Sequence, residues 1–204
     1  MTVKSIPAGY IGANCYYLYD EATLEAAIVD PGDDGERLVA AAQSLGLKVR
    51  YILLTHGHFD HTGAVNAFRT AYPEAAVYIH KADAGEKAAQ MHFQAFDGLN
   101  YYDEGDKLPF CGGEIAVYST PGHSKGSVCL QFGNDLFSGD TLFAGSMGRT
   151  DFAGGDLRAM SASLVRLSAF PEETKVWPGH ESSTTIGQEK RRNMYMLQAM
   201  RGGL

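Results

Sequence analysis

The segment Thr55-His56-Gly57-His58-Phe59-Asp60-His61 places three imidazoles and a carboxylate within six residues. Nitrogen and oxygen donors at that density suit a divalent cation. His56 and His58 are two apart, so on extended backbone both rings project to one side. Asp60 and His61 follow once the loop has begun to turn, and they can face a neighbouring position. The spacing therefore suits two adjacent ions better than one. Two ions need further ligands, and three candidates recur in short loops: His123 in Thr120-Pro121-Gly122-His123-Ser124, Asp140 in Ser138-Gly139-Asp140-Thr141, and His180 in Trp177-Pro178-Gly179-His180-Glu181. A lone histidine after Pro-Gly is more often a turn residue. The argument is joint, because each follows a short apolar run, as the first motif does.

Those runs read as strands that would carry the donors at their ends. Val49–Leu54 is a buried strand by composition, and the loop beyond the carboxyl end of such a strand is the usual place for an α/β active site. Further strands are expected at 14–19, 26–29, 76–79, 114–119, 127–132, 135–138 and 174–177. Helices are expected at 34–46, 62–71, 82–91 and 157–168, with a closing helix at 185–200. The stretch 92–110 has no clear period. Two successive strand-then-helix halves imply layered α/β architecture with sheets inside and helices outside. They are too interleaved to divide, so one domain over residues 1–204 is expected.

Composition narrows the classes. The 204 residues are 45% apolar and 20% charged, a globular balance able to bury a core without staples. Seventeen Lys and Arg against 24 Asp and Glu leave a net charge of −7, which argues against a nucleic-acid surface. No apolar run approaches the ~20 residues of a bilayer span, and Pro7, Gly9, Gly12 and Asn14 interrupt any signal-peptide core. Cys15, Cys111 and Cys129 are odd in number and widely spaced, as in a protein of a reducing compartment. A cytoplasmic protein with no membrane or nucleic-acid partner is expected; oligomeric state is not legible.

The series His56-x-His58-x-Asp60-His61, His123, Asp140, His180 resembles the metallo-β-lactamase superfamily across nearly the whole chain. The resemblance implies a four-layer αβ/βα sandwich with a metal site in a cleft at one edge. It implies a first ion held by His56, His58 and His123, a second by Asp60, His61 and His180, and Asp140 bridging both. The ions would be zinc, with iron or manganese as alternatives. Within the superfamily, Gly139-Asp140-Thr141-Leu142-Phe143, Gly148-Arg149-Thr150-Asp151-Phe152 and Thr184-Thr185-Ile186-Gly187-Gln188-Glu189 resemble the glyoxalase II-like thioester hydrolases, closest to the short bacterial type. About 24 residues follow His180, so the C-terminal domain that helps grip glutathione is expected to be absent, and Met147 stands where glyoxalase II has Cys.

The implied reaction is hydrolysis of a thioester, an S-(2-hydroxyacyl)glutathione or similar acyl-thiol, by a metal-bridging hydroxide, with Asp60 orienting the nucleophile. Arg149 would bind a substrate carboxylate, or else pair with Asp151 or Asp156. The competing reading is a mononuclear iron persulfide dioxygenase using His56, His123 and Asp140. Its family shares Gly-Arg-Thr-Asp-Phe, but Ala144-Gly145-Ser146-Met147 departs from its usual segment. Lactam hydrolysis is disfavoured by the Gly-Asp-Thr-Leu-Phe stretch and the lack of a cysteine ligand at the second metal, and flavodiiron chemistry by His58. Outside the motif, His80 reads as an ordinary loop histidine and His92 as helix packing. Phe93, Phe96, Tyr101 and Tyr102 read mostly as core, and Glu189-Lys190-Arg191-Arg192 as a solvated face. Cys15 and Cys129 read as buried packing and Cys111 as more exposed.

Overall fold

Strand segments with an apolar residue at every position can bury both faces, and Tyr16–Leu18, Ala26–Val29 and Tyr51–Leu54 do so. The computed structural model describes residues 1–85 and 93–203. Its first half runs β1 (Thr2–Ala8), β2 (Ala13–Tyr19), β3 (Glu25–Val29), α1 (Gly35–Ser44), β4 (Lys48–Leu54), α2 (Phe59–Thr62), α3 (Val65–Ala71), β5 (Ala76–His80) and a 3₁₀ turn at Lys81–Asp83. There follow β6 (Asn100–Tyr102), β7 (Lys107–Phe110), β8 (Gly113–Ser119), β9 (Val128–Phe132), β10 (Asp135–Gly139) and the short pair β11 (Leu142–Phe143) and β12 (Ser146–Met147). The chain closes with α4 (Leu157–Ser168), β13 (Lys175–Pro178), β14 (Thr184–Thr185), α5 (Ile186–Arg192) and α6 (Met194–Met200).

Two six-stranded sheets result, in the orders β1-β2-β3-β4-β5-β6 and β14-β13-β10-β9-β8-β7. The alternation of side chains along each strand sorts the core into three layers. Tyr17, Ile28, Ile52 and Leu54 meet Leu38, Ala42 and Phe68 of α1 and α3. Their sequence neighbours Leu18, Val29 and Leu53 face the other way and meet Val117, Val128, Leu130 and Phe137 of the second sheet. Behind that sheet Cys129, Leu136 and Val176 pack on Met160, Leu164, Ile186 and Met196 of α4, α5 and α6. The molecule is a four-layer αβ/βα sandwich. No helix among the described residues is long and apolar enough to cross a membrane.

Several elements differ from the sequence reading. The helix expected at 62–71 is two pieces, α2 and α3, and the closing helix breaks at Asn193. Asn193 is extended, and its Oδ1 caps α6 by accepting from the Tyr195 and Met196 amides at 3.0 and 3.2 Å. The beginning of the helix expected at 82–91 is instead the 3₁₀ turn and a bend; the remainder, with His92, lies outside the described residues. Strands β1, β6, β7, β11, β12 and β14 have no counterpart in that reading. β1 is an edge strand, where Pro7 costs no ladder bond to a second neighbour. Glu189 is buried rather than solvated, accepting from Thr184 Oγ1 at 2.6 Å and the Gly145 amide at 2.7 Å. Phe93 and Tyr102 are core, whereas Tyr101 is exposed.

Candidate metal centre

Four chain segments leave their strands at one edge of the sandwich and bring their donors together. β4 ends in the loop carrying His56 and His58, and α2 begins at once, with Asp60 and His61 on its single turn. The loops after β8, β10 and β13 deliver His123, Asp140 and His180. His123 Nε2 lies 2.8 Å from His58 Nδ1, and the His56 ring sits edge-on to both, its centroid 4.7 and 4.9 Å from theirs. His61 Nε2 lies 3.3 Å from His180 Nε2 and 3.6 Å from Asp60 Oδ2. Asp140 stands between these groups: its Oδ2 is 3.3 Å from His123 Nε2 and 3.6 Å from His180 Nε2, and its Oδ1 is 3.4 Å from His61 Nε2. Donor atoms of His56, His58 and His123 fall within 4.8 Å of one another, as do those of Asp60, His61 and His180.

The orientation of the rings comes from groups that the sequence reading passed over. Asp30 Oδ1 accepts from the Thr55 amide at 2.7 Å, and its Oδ2 accepts from Thr55 Oγ1 at 2.6 Å and faces His61 Nδ1 at 3.0 Å. A carboxylate in this position commits the His61 Nδ1 proton to itself and leaves Nε2 to face Asp60, Asp140 and His180. Thr55 Oγ1 donates to Asp30, so it can only accept from His56 Nδ1, 3.1 Å away. His56 Nε2 is then a lone pair aimed inward. The Arg149 carbonyl does the same for His123, taking its Nδ1 proton at 2.8 Å.

Asp83 ties two donor loops together. Fully buried, it accepts from the Gly57 amide at 3.0 Å, Ser124 Oγ at 2.6 Å and the Gly126 amide at 2.7 Å. Asn14 and Tyr16 fasten the third loop: Asn14 Nδ2 donates to the Pro178 and Glu181 carbonyls at 3.0 and 2.9 Å, and Tyr16 Oη to the Pro178 carbonyl at 2.6 Å. Only Asp30 and Asp83 had any signal in the sequence, as isolated acids next to strand ends.

A match to the family model described as the metallo-beta-lactamase superfamily covers residues 8–180, from β1 to the last donor. The chain belongs to the metallo-beta-lactamase superfamily. A protein of Haemophilus influenzae named hydroxyacylglutathione hydrolase GloC is 31% identical over 209 residues, covering 96% of this chain and 98% of that one. Among solved structures, one titled BLEG-1 B3 metallo-beta-lactamase is 37% identical with a TM-score of 0.85, covering 96% and 99% of the two chains. TTHA1623 in a di-iron-bound form is 37% identical with a TM-score of 0.83, covering 95% and 100%. ETHE1 from Myxococcus xanthus is 28% identical with a TM-score of 0.80, covering 100% and 92%.

The donor set fits the divalent metals of such a superfamily member. His56 Nε2 and Asp140 Oδ1 are buried without a hydrogen-bond partner, an arrangement that is costly unless a cation completes it. The charge states lead to the same conclusion. Burial pushes the His56 ring well below the usual histidine range and the His58 ring down to about 4, so both are neutral and ready to ligate. Burial also opposes charge on His61 and His180. There the surrounding carboxylates win: Asp140 and Asp30 lift His61 to about 9, and Asp140 and Asp60 lift His180 to about 10. Asp140 is buried too, yet the His61 charge and the His180 hydrogen bond hold it well below the carboxylate range. The acid cluster demands positive charge, and protons supply it where a metal is absent.

A cavity of about 650 Å³ opens over these groups, lined by His58, Asp60, His123, Asp140 and His180 at its floor. Its walls are largely apolar: Ile11, Phe59, Phe143, Met147 and Phe152. Arg149 reaches the same cavity, but its Nε and Nη2 donate to Asp151 Oδ1 and Oδ2, both at 2.7 Å, and its guanidinium lies 3.9 Å over the Phe152 ring. Asp156 is not its partner; that side chain caps α4, accepting from the Ala159 amide at 2.9 Å. His80 faces Asp103 at 3.3 Å, away from the donor cluster. Cys15 and Cys129 are buried with their thiols pushed up by that burial, and Cys111 is half-buried.

Proposed function

We propose that the protein is a metal-dependent hydrolase of thioesters, acting on an acyl-thiol of the S-(2-hydroxyacyl) kind. His56, His58 and His123 would hold one divalent ion, Asp60, His61 and His180 a second, and Asp140 would bridge them. The observation that carries this reading is the position of the Asp140 carboxylate, within 3.3 to 3.6 Å of imidazole nitrogens from both groups, at the floor of an apolar cavity. Zinc suits a donor set of imidazoles and carboxylates, and two such ions supply a water acidic enough to be nucleophilic near neutrality, together with polarisation of the carbonyl.

The remaining work falls to the chain. Asp30 and Thr55 fix the tautomers that turn lone pairs inward. Asp60 is half-buried; burial opposes its ionisation, but the His180 hydrogen bond and the His61 charge hold it below the usual range. An ionised carboxylate there orients the attacking water by accepting its hydrogen bond. Phe143, Met147 and Phe152 shield the acyl group from bulk water. Arg149 is the cation at the rim that a carboxylate on the thiol half would meet. A thioester is a suitable target because its leaving thiolate is stable at neutral pH. The donor cluster forms the floor of the cleft, which suits activated water as the attacking group. The name of the Haemophilus influenzae relative supports an acyl-thiol substrate. All three cysteines are free, as suits the cytoplasm.

Two other readings share the fold: the persulfide oxidation raised by the sequence motifs, and lactam hydrolysis, the activity in the name of BLEG-1 B3 metallo-beta-lactamase. One panel separates the three. Protein stripped by a chelator and reloaded with zinc or iron is assayed on a lactoyl thioester, on a β-lactam, and for oxygen uptake with a persulfide. Thioester turnover restored by metal, without oxygen uptake, supports this proposal; turnover of only the persulfide or only the lactam overturns it.

A further inference from the structure

One wall of the cleft is a ribbon with little support of its own. β11 and β12 pair through two residue couples, Leu142 with Met147 and Phe143 with Ser146, and belong to neither large sheet. A two-stranded ribbon this short is marginal in water. It nevertheless carries Phe143, Ser146 and Met147 of the cavity lining. Phe143 also stands edge-on to the His180 ring, with centroids 6.0 Å apart. Gly145 forms the tip at a φ of 74°, and a Cβ built on it would meet nothing within 4 Å among the described residues. On that side the tip has open space to move into.

Two buried polar side chains hold the ribbon from behind. Glu189 Oε2 accepts from the Gly145 amide at 2.7 Å, and Asn193 Nδ2 donates to the Ser146 carbonyl at 2.8 Å. The pair is joined, with Asn193 Nδ2 donating to Glu189 Oε2 at 2.9 Å, and Thr184 Oγ1 donates to Glu189 Oε1 at 2.6 Å. Both side chains are buried, where an acid is costly unless its neighbours donate to it, and here three groups do. Neither is among the described lining residues. We propose that Glu189 and Asn193 are positioning residues that set the width of the acyl side of the cleft, and with it the size of acyl group accepted. This rests on the thioester reading above and narrows it. With the ties in place Phe143 and Met147 stand fixed, and a bulky acyl group must displace them. With the ties cut, the ribbon yields at its tip and discrimination against bulk falls.

The test compares two glutathione thioesters with the same thiol half, one lactoyl and one mandeloyl, on zinc-loaded protein. The ratio of their kcat/KM values cancels any change in metal content. N193S keeps a hydroxyl to cap α6 but cannot reach the ribbon, and it is expected to raise the mandeloyl-to-lactoyl ratio about tenfold. E189L removes the other tie and is expected to move the ratio the same way; N193S decides even where E189L fails to fold. E189Q is expected to keep the wild-type ratio. Its amide can accept from Gly145 and Asn193 and donate to Thr184 Oγ1, whose own proton turns to Gln188 Oε1, 3.2 Å away. A second readout avoids turnover: in metal-free N193S the Gly145 amide exchanges with solvent about tenfold faster than in wild type, while the amides of Leu164 and Leu167 in α4 keep their rates. A ratio unmoved in N193S, or moved as far by E189Q, overturns the specificity role and leaves thioester hydrolysis standing. Unchanged exchange at Gly145 overturns the anchoring. Hydrolysis of neither ester by loaded wild type overturns the thioester reading and this role together.

Discussion

Asp30 faces His61 through a 3.0 Å contact between its Oδ2 and the ring Nδ1, with both side chains almost wholly buried. One acid therefore sets the direction of two candidate ligands, His61 directly and His56 through Thr55 Oγ1. D30N keeps the shape and removes the charge that holds the His61 proton. The expected result is a loss of about 10- to 100-fold in metal affinity with the fold retained, read by competition with a chromophoric chelator alongside circular dichroism. Wild-type affinity in D30N would refute the anchoring role.

Asp83 does for the loops what Asp30 does for the rings. D83A removes the acceptor shared by the Gly57 amide, Ser124 Oγ and the Gly126 amide. Buried donors without partners are costly, and the expected loss is about 3 kcal/mol or more, measured by urea unfolding of the metal-free protein. A change below about 1 kcal/mol would mean the loops hold their shape without it.

Gly179 is required by space. A Cβ there would lie 2.1 Å from Asp140 Oδ1 and 2.7 Å from His61 Cε1. G179A is expected to displace the donors rather than unfold the chain, with bound metal falling well below wild type while the far-UV spectrum is kept. Full metal content in G179A would show that the loop moves aside at no cost.

The central layers were legible because β2, β3, β4 and β8 to β10 announce themselves as apolar runs between turn residues. The donors were legible because their identities are chemical and their loops follow those runs. Elements fixed by partners far along the chain were not. β1 contains Pro7 and gains strand form only by pairing with β2, and the break at Asn193 depends on capping and on Nδ2 reaching the Ser146 carbonyl at 2.8 Å. Glu189 looked solvated because three basic residues follow it, yet its carboxylate is satisfied by Thr184, Gly145 and Asn193. Asp30 and Asp83 escaped notice for the same reason: each is an unremarkable acid until the fold brings its donors.

Protonation and metal compete at His61 and His180. Their folded values of about 9 and 10 lie above the ordinary 6.5, so in the metal-free protein both carry protons at pH 7.5. The stability they contribute is full below about pH 6.5 and is lost as pH rises through 9 and 10. Ligation needs the unprotonated rings, so metal binding at pH 7.5 is expected to release protons. Calorimetry in buffers of different ionisation enthalpy measures the number; an apparent binding enthalpy that does not vary with buffer would contradict these charge states.

The claim on which all of this depends is that His56, His58, Asp60, His61, His123, Asp140 and His180 form one two-ion centre that drives hydrolysis. The most direct measurement is metal content per chain, by plasma mass spectrometry, taken together with lactoyl-thioester turnover for wild type and for D140N. The account predicts two ions per wild-type chain, loss of turnover on chelation and recovery on reloading, and D140N depleted in both metal and rate. Turnover that survives complete removal of metal, or a D140N protein that keeps both ions and full rate, would contradict it.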